Sequence, residues 1–497
     1  RFPEDAMTLS SGLDIARSSL SVNSDRASVV ARNIASADDP GASRKIVNQV
    51  TVGGGGVRIA SISREIDAGL FNLVQSSTSD NARNAALVEK LDALQQVIGS
   101  PEDQSSPAAT MARLRDDLLR AAGNPDDLGL NSVALATARD VVRKLNDATD
   151  TVQRVRAEAD QDISKGVERL NTLLNEFDKV NVEIVNGTRQ SRDVTDHEDA
   201  RDRILTEMSG FIDIRTVTRA DNDMVIMTGG SLVLYEGSPR TVSFNPTTTF
   251  TAATTGSQVY VDGMPVTGGT STQAAQAGSL VGLARIRDDL AVTTQTQLDE
   301  MARGLVTQFA ESDQTGGGAP TQPGLFTYAG GPAMPPAGIA IAGIAGTIAV
   351  SASVDPVQGG DVRLLRDGAI SDPGNAAYVY NTEGASGYSE RLLGLADAFD
   401  QSIAFDGAAV LSASTSLISF SVESTGWLQE QRRNASNDLT QSAAVMERAS
   451  ISLSKATGVN LDEEMTLMLD IERSYQASAR LMSSIDAMID ALFAATR

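Results

Sequence analysis

Hydrophobic positions recur with a seven-residue period at both ends of the chain. Near the start, Leu9, Leu13, Ala16, Leu20, Asn23, Ala27, Val30 and Ile34 alternate steps of four and three. Near the end, Met468, Ile471, Tyr475, Ser478, Met482, Ile485, Ile489 and Leu492 alternate steps of three and four. Such spacing puts one stripe along one side of a helix, and a repeat of seven is that of a coiled-coil seam. Each stripe predicts a long helix, and the simplest inference is that the two helices pair with each other. The plainer reading is two ordinary helices, each facing a core. Asn23 and Ser478 on the stripes point to register control, or to contact with further chains, rather than to a maximally stable zipper.

The last helix is predicted over 458–497, with Asn460 as its cap and Glu463 placed to bond back to the cap's N–H. Asp462, Glu463 and Glu464 put negative charge on its first turn, where the helix dipole favours it. The first helix should end near Ala37, because Asp38-Asp39-Pro40-Gly41 stops and turns the chain. An extended piece over 44–51 and a short strand at Val57, Ile59 and Ser61 flank the four glycines of 53–56. No Gly-Lys-Ser/Thr follows those glycines, so they read as a hairpin rather than a phosphate loop. Helical periodicity then covers 64–98, 107–122 and 132–186, with Gly187 closing the last, as in an elongated bundle. Thr195 and Glu198 have the spacing of a capping box.

The period changes to two at 211–217, 224–227, 232–234, 240–244, 259–261 and 264–266, which read as strands turned at sites such as Asp262-Gly263. Residues 279–312 return to helix, 337–365 look strand-like, and 391–404 and 411–458 are helical. The predicted fold is α+β and multidomain: terminal heptad helices paired as a coiled coil, an elongated helical body and a β-rich inserted middle. The expected divisions are 1–60 with 456–497, 61–330 with 388–455, and a small β-rich insertion at 331–387.

Charge and composition narrow the function. Lys plus Arg is 41 against 64 Asp plus Glu, a net charge of -23. That disfavours nucleic acid or an anionic membrane as partner. The 497 residues include no cysteine, so disulfides, thiolate nucleophiles and cysteine metal sites are excluded. His197 is the one histidine. The acids around it suggest a cation or acid/base site, but a solvated helix start accounts for them better. No Gly-x-Ser-x-Gly supports a nucleophile. No catalytic residue, metal or cofactor is therefore expected. The most apolar run, 338–350, is too short to span a bilayer and is broken by Gly343 and Gly346. Residues 1–20 carry charges and no apolar run, so no secretory signal is expected there. Arg1 to Ala6 precede the first methionine, Met7.

Asn33-Ile34-Ala35-Ser36-Ala37-Asp38-Asp39-Pro40-Gly41-Ala42-Ser43-Arg44 resembles the N-terminal signature of the flagellar rod, hook and hook-associated family. Asn33, Ile34, Ala35, Pro40, Gly41 and Arg44 carry the match, and Ala42 stands where an aromatic is usual. The tail Thr457-Gly458-Val459-Asn460-Leu461-Asp462-Glu463-Glu464-Met465, followed by Ser474-Tyr475-Gln476-Ala477-Ser478-Ala479-Arg480, resembles the hook-associated members. So do Gly56-Val57-Arg58-Ile59 leading into Arg64, the stretch 209–217, and Gly282-Leu283 with Arg287-Asp288. Residues 331–387 match least.

This resemblance implies a structural, non-enzymatic subunit of the bacterial flagellum, forming the ring between hook and filament. It implies export of the unfolded chain through the flagellar type III apparatus and assembly outside the cell. The implied partners are further copies of the chain, the hook protein below, a second junction protein above, and a cytoplasmic export chaperone at the C-terminal region. A hook or distal rod protein of the same family is the alternative. A secreted adhesin would rest on the β-rich middle alone, and a flagellum-associated hydrolase lacks a metal cluster or Cys/His pair to support it. The residues expected to carry assembly are Leu9, Leu13, Leu20, Val30 and Ile34 with Leu461, Met468, Ile471, Tyr475, Met482, Ile485 and Ile489. The terminal helices are expected to be poorly ordered in the monomer and to order when neighbouring copies cover them.

Overall fold

A computed structural model describes residues 4–53, 55–99, 106–268 and 273–495, without the side chains of 4–8. Arg1 to Pro3, Gly54 of the four glycines read as a hairpin, residues 100–105 after the predicted 64–98 helix and the last two residues of the predicted C-terminal helix lie outside the described residues.

Four long helices dominate: α1 (Glu4–Ala35), α4 (Leu128–Arg189), α11 (Leu417–Thr457) and α12 (Leu461–Ala495). The β1 (Lys45–Thr51) and β2 (Val57–Arg64) hairpin follows α1, and then come α2 (Ala68–Ile98) and α3 (Pro107–Gly123). The α4 helix has 62 residues and is about 93 Å long at ~1.5 Å per residue. Asp127 caps it, accepting from the Gly129 and Leu130 N–H groups at 2.8 and 3.3 Å. Its buried stripe includes Val141, Leu145, Ala148, Val152, Val155, Ala159 and Ile163, all in steps of three and four. Gly187 does not close α4, as its type suggested; the helix runs on to Arg189. Its role is close approach, because an added Cβ would lie 2.3 Å from Val194 Cγ1 where the chain folds back.

The chain then continues through α5 (Thr195–Phe211) into small antiparallel sheets. β3 (Ile214–Thr218), β4 (Met224–Thr228) and β5 (Val233–Tyr235) form one, and β6 (Val242–Ser243), β7 (Tyr260–Val261) and β8 (Met264–Pro265) another. The helix predicted over 279–312 is α6 (Ser279–Arg285), a π turn (Ile286–Leu290) and α7 (Ala291–Gln308). The π turn holds Arg287, which is fully buried and pairs with Asp160 of α4 at 2.6 Å.

Residues 331–387 are not the β-rich insertion expected. After β9 (Phe326–Thr327), their only named strand is β10 (Ala349–Val350), beside the short helices α8 (Ile344–Thr347) and α9 (Leu364–Asp367). Apart from the short pairing of β10 with β9, turns and side chains of the body meet the backbone here. Asp299 of α7 accepts from the Gly343 and Ala345 N–H groups, both at 2.9 Å, and Asn146 of α4 donates to the Ala345 carbonyl at 2.7 Å. Residues 391–404 also differ: α10 (Glu390–Asp397) ends early, because Phe399 turns into the core against Phe309, and β11 (Ser402–Ala404) pairs with β12 (Ser414–Ser416). Ser416 then caps α11 by accepting from the Ser419 N–H.

Burial pushes the Asp299 carboxyl up to about 6, against its three N–H donors. Its folded pKa thus lies above an unfolded value near ~3.9. Between roughly pH 4 and 6 the native state holds a proton that the unfolded chain has lost, so stability from this group falls as pH rises through that window. Asp299→Asn should flatten the drop in urea midpoint between pH 4.5 and 6.5. An identical drop in both proteins would remove Asp299 from the account.

Candidate assembly interface at the paired termini

The two terminal helices pair antiparallel, and polar contacts fix their register. Ser19 Oγ meets Ser478 Oγ at 2.9 Å, Asn23 donates to Ser474 Oγ at 2.9 Å, and Asn33 donates to Glu464 Oε2 at 3.1 Å. A Cβ on Gly12 would stand 3.3 Å from Ile485 Cδ1. Stepping from Gly12 to Ser19 on α1 steps from Ile485 to Ser478 on α12, a constant register. Small and polar groups therefore occupy much of the seam. The other side of α1 packs on the hairpin, where Ser18 Oγ accepts from the Val57 N–H at 3.2 Å.

The predicted interface residues divide into two groups. Val30, Ile471 and Ile485 are buried in the chain itself. Leu9, Leu13, Leu20, Ile34, Met468, Met482 and Ile489 are half-buried, and Leu461 and Tyr475 are exposed. The physical reason is geometric. Leu461, Met468, Tyr475, Met482 and Ile489 recur every seventh residue and form one line; Glu464, Ile471, Ser478 and Ile485 form the next. One partner helix covers the second line and leaves the first along its flank. Tyr475 is 47% exposed, and Leu481 on the opposite flank is 50% exposed. Within the single chain, Leu461 and Tyr475 therefore lie outside the α1–α12 contact.

Where the terminal unit meets the body, the N-terminal motif takes on a definite geometry. Asn33 reads the backbone of Lys45 with both ends of its amide, accepting from the N–H at 3.0 Å and donating to the carbonyl at 2.9 Å. Glu464 of α12 is fully buried. Its two oxygens accept from Arg44 Nε at 2.7 Å and from Asn33. Bonding to Glu464 raises the Arg44 pKa, with burial opposing. The Arg44 N–H donates to the Thr457 carbonyl, and its carbonyl accepts from the Glu65 N–H, both at 2.8 Å. Gly41 lies beside Arg203, which pairs with Asp39 at 3.1 Å; Pro40 and Ala35 are exposed.

The start of α5 supplies carboxylates to the same place. Lys45 pairs with Asp196 and, at 3.6 Å, with Asp199. Ser43 Oγ donates to Asp199 at 2.5 Å. Arg64 meets Glu198, Asp199 and Asp202 at 3.2, 3.2 and 2.6 Å, and Arg32 meets Asp193 at 2.8 Å. The capping box expected at Thr195 is replaced by an Asx turn: Asp193 Oδ1 accepts from the Thr195 N–H and hydroxyl, which frees Glu198 for Arg64. Likewise Glu463 does not reach the Asn460 N–H. It faces Arg44 at 3.4 Å, while Asn460 accepts from the Asp462 N–H at 3.0 Å. His197 is exposed. Lys45 was not singled out from the sequence, and Glu464, Arg64 and Asp199 were read there only as a first-turn acid, as part of the resemblance and as one of the acids around His197. The signal for Glu464 was present: it sits one heptad before Ile471, and a carboxylate on an apolar line needs a buried partner.

Comparison with known proteins follows this geometry. Residues 84–326 match the family described as flagellar hook-associated protein FlgK helical domain, and residues 454–494 match the flagellar basal body rod FlgEFG protein C-terminal family. The chain is 23% identical over 523 residues to flagellar hook-associated protein 1 of Bacillus subtilis (strain 168), covering 96% of this chain and 97% of that one. The solved structure of the flagellar hook junction protein FlgK from Burkholderia pseudomallei superposes with a TM-score of 0.56 at 10% identity, over 77% of this chain and 99% of that one. At that identity the last likeness concerns the fold. Among the described residues, no helix is long and apolar enough to cross a membrane.

Proposed function

We propose that this chain, a structural subunit of the bacterial flagellum of the FlgK hook-associated type, forms the ring that joins hook to filament. In this reading the chain leaves the cytoplasm unfolded through the flagellar export apparatus and assembles outside the cell. Copies of itself, the hook protein and a second junction protein are its neighbours there, and an export chaperone holds its C-terminal region beforehand. Residues 1–60 with 456–497 serve as the assembly unit, and 61–330 with 388–455 as the body onto which 331–387 is stitched.

The supporting observation is the apolar surface that α12 leaves exposed on both flanks of the seam. Leu461, Met465, Leu469, Tyr475, Leu481 and Met488 stand exposed beside a seam rich in serine and asparagine. Burying such a side chain fully contributes about 1.5–3 kcal/mol, so several of them covered by neighbouring copies outweigh the ordering of a subunit. Tyr475→Asp and Leu481→Asp should each cut incorporation at hook tips at least tenfold while the monomer unfolds at the same urea concentration. Val182→Asp changes an equally exposed residue of α4 and should incorporate normally. Normal incorporation of both α12 variants would overturn the reading.

A further inference from the structure

Charge is withdrawn from one part of a strongly acidic chain. The net charge is -23, yet the 41 residues from Gln314 to Val354 contain no Asp, Glu, Lys, Arg or His. Residues 401–422 contain a single one, Asp406. The fold brings these two stretches together. The Ala340 N–H donates to Asp406 Oδ2 at 2.9 Å, and a Cβ on Gly338 would stand 3.9 Å from the Ala404 Cβ. Ala404 pairs with Ser414 across β11 and β12, and the Phe405 N–H donates to the Ala413 carbonyl at 2.9 Å. Asp406 spends its charge on backbone. Its other oxygen accepts from the Ala408 N–H at 2.9 Å, and the Ala340 and Ala408 donors hold its carboxyl below the usual carboxylate range. Ile339 is 58% exposed and Val410 64%, and Pro336, Ala337, Ala404 and Ala413 are exposed in the same two stretches. Glu423 stands at the edge, accepting from the Ser412 N–H at 3.2 Å. Val410 carries a second signal. Its φ of 59° is left-handed, where a β-branched side chain is strained. Gly or Asn would close this turn more easily, so an isopropyl group is held at the surface against the preference of its backbone.

We infer that this uncharged apolar face docks on a second copy of the chain, an inference that rests on the reading of the chain as a subunit packed against its own copies. A basic partner would be recognised by carboxylates, and this face offers none that is free. Two copies at -23 each repel wherever their charges approach within a Debye length, about 8 Å at physiological salt. A face without charge lets them meet with no like-charged pair across the contact. Exposed apolar area of this kind, rimmed by polar residues, is the mark of a protein–protein contact. Copies in a closed ring meet head to tail, so the face contacts a different surface of the next copy. The face belongs to the body. It therefore adds to the contacts of α12 and needs no folded terminal helix in the free subunit.

The cysteine-free chain permits a direct test. Benzophenone-maleimide on Val410→Cys, in full-length subunits incorporated at hook tips, should capture a second copy on irradiation, identified by mass spectrometry. The same probe on Val357→Cys, 82% exposed on the 355–360 turn, should capture far less. Ile339→Glu should cut incorporation by about tenfold or more, because it sets a charge against an acidic neighbour, while the free subunit unfolds at the same urea concentration. Val410→Asn should raise the urea midpoint of the free subunit by relieving the backbone and should still lower incorporation. Capture of a different protein alone, or of nothing, by incorporated Val410→Cys would overturn the inference. Full incorporation of Ile339→Glu would overturn it too. Failure of the unlabelled wild-type chain to enter hook tips would instead overturn the reading as a junction subunit, and this inference with it.

Discussion

Glu464→Ala detaches the C-terminal helix from an otherwise intact body. The change leaves the Arg44 guanidinium without its closest acceptor and removes one of two acceptors from the buried Asn33 amide. Removing one partner of a buried pair costs about 3–5 kcal/mol. Arg44 is a quarter exposed, and water recovers part of the loss, so the lower end applies, roughly 3 kcal/mol. The seam beyond it is thin: Ile471 and Ile485 are buried, but its contacts at Ser19, Asn23, Ser474 and Ser478 are hydroxyls and amides that water satisfies equally well. Amide exchange in α12 and in α1 should quicken on the order of a hundredfold, the factor that matches such a loss when opening is local. Exchange in α4 and α7 should not change. Glu464→Gln keeps one acceptor oxygen and should fall between the two. Wild-type exchange in Glu464→Ala would mean that Arg44 and Asn33 are not what fastens α12.

The second large effect lies in the body. Arg287→Met is expected to lower global stability by about 3–5 kcal/mol, because it strands the Asp160 carboxylate in the core. Asp160 is 2% exposed and its remaining tie is the Thr247 N–H at 2.7 Å. Arg287 also donates to the Ser257 carbonyl at 2.5 Å and lies over the Phe244 ring, so it fastens the irregular 245–258 segment to α4. Adding Asp160→Asn to Arg287→Met removes the stranded charge yet keeps an acceptor for Thr247. The double variant should regain at least half of the lost urea midpoint. If the double variant is less stable than Arg287→Met, the ion pair is not the source of the effect.

What could be read from the sequence follows the physics of each element. The terminal heptads were legible because a seven-residue period is a direct consequence of two helices sharing a seam. Their pairing was legible because a seam needs a partner and the opposite end of the chain carries a stripe of the same period. Which line of α12 faces α1 was not, since Met468, Tyr475 and Met482 are as apolar as Ile471 and Ile485. Only the positions of Gly12, Ser19 and Asn23 on the partner decide it. The long body helices were clear from their apolar steps, whereas the π turn at 286–290 is a local widening around a buried Arg287 that no period announces. Residues 337–365 misled because alternating Ile, Ala and Val resemble a strand. Their backbone closes mostly in local turns, and at Gly343 and Ala345 it is held by Asp299 and Asn146, residues distant in sequence. The motif residues Asn33 and Arg44 were visible as a signature, but their meeting point, Glu464, lies more than 400 residues away. It sat inside a run of three acids that helix-dipole reasoning alone seemed to explain.

The central claim is that the α1–α12 seam is incomplete in one chain and is completed by neighbouring copies along the flank of α12. Hydrogen exchange of α12, measured on the monomer and again on subunits incorporated at hook tips, tests it most directly. The account predicts amides over 461–489 that in the monomer are far less protected than those of α4 and gain at least a further hundredfold of protection on incorporation, with α4 protected alike in both. Equal, strong protection of α12 in a proven monomer would contradict it, because the two terminal helices would then form a finished coil with nothing left for a neighbour to complete.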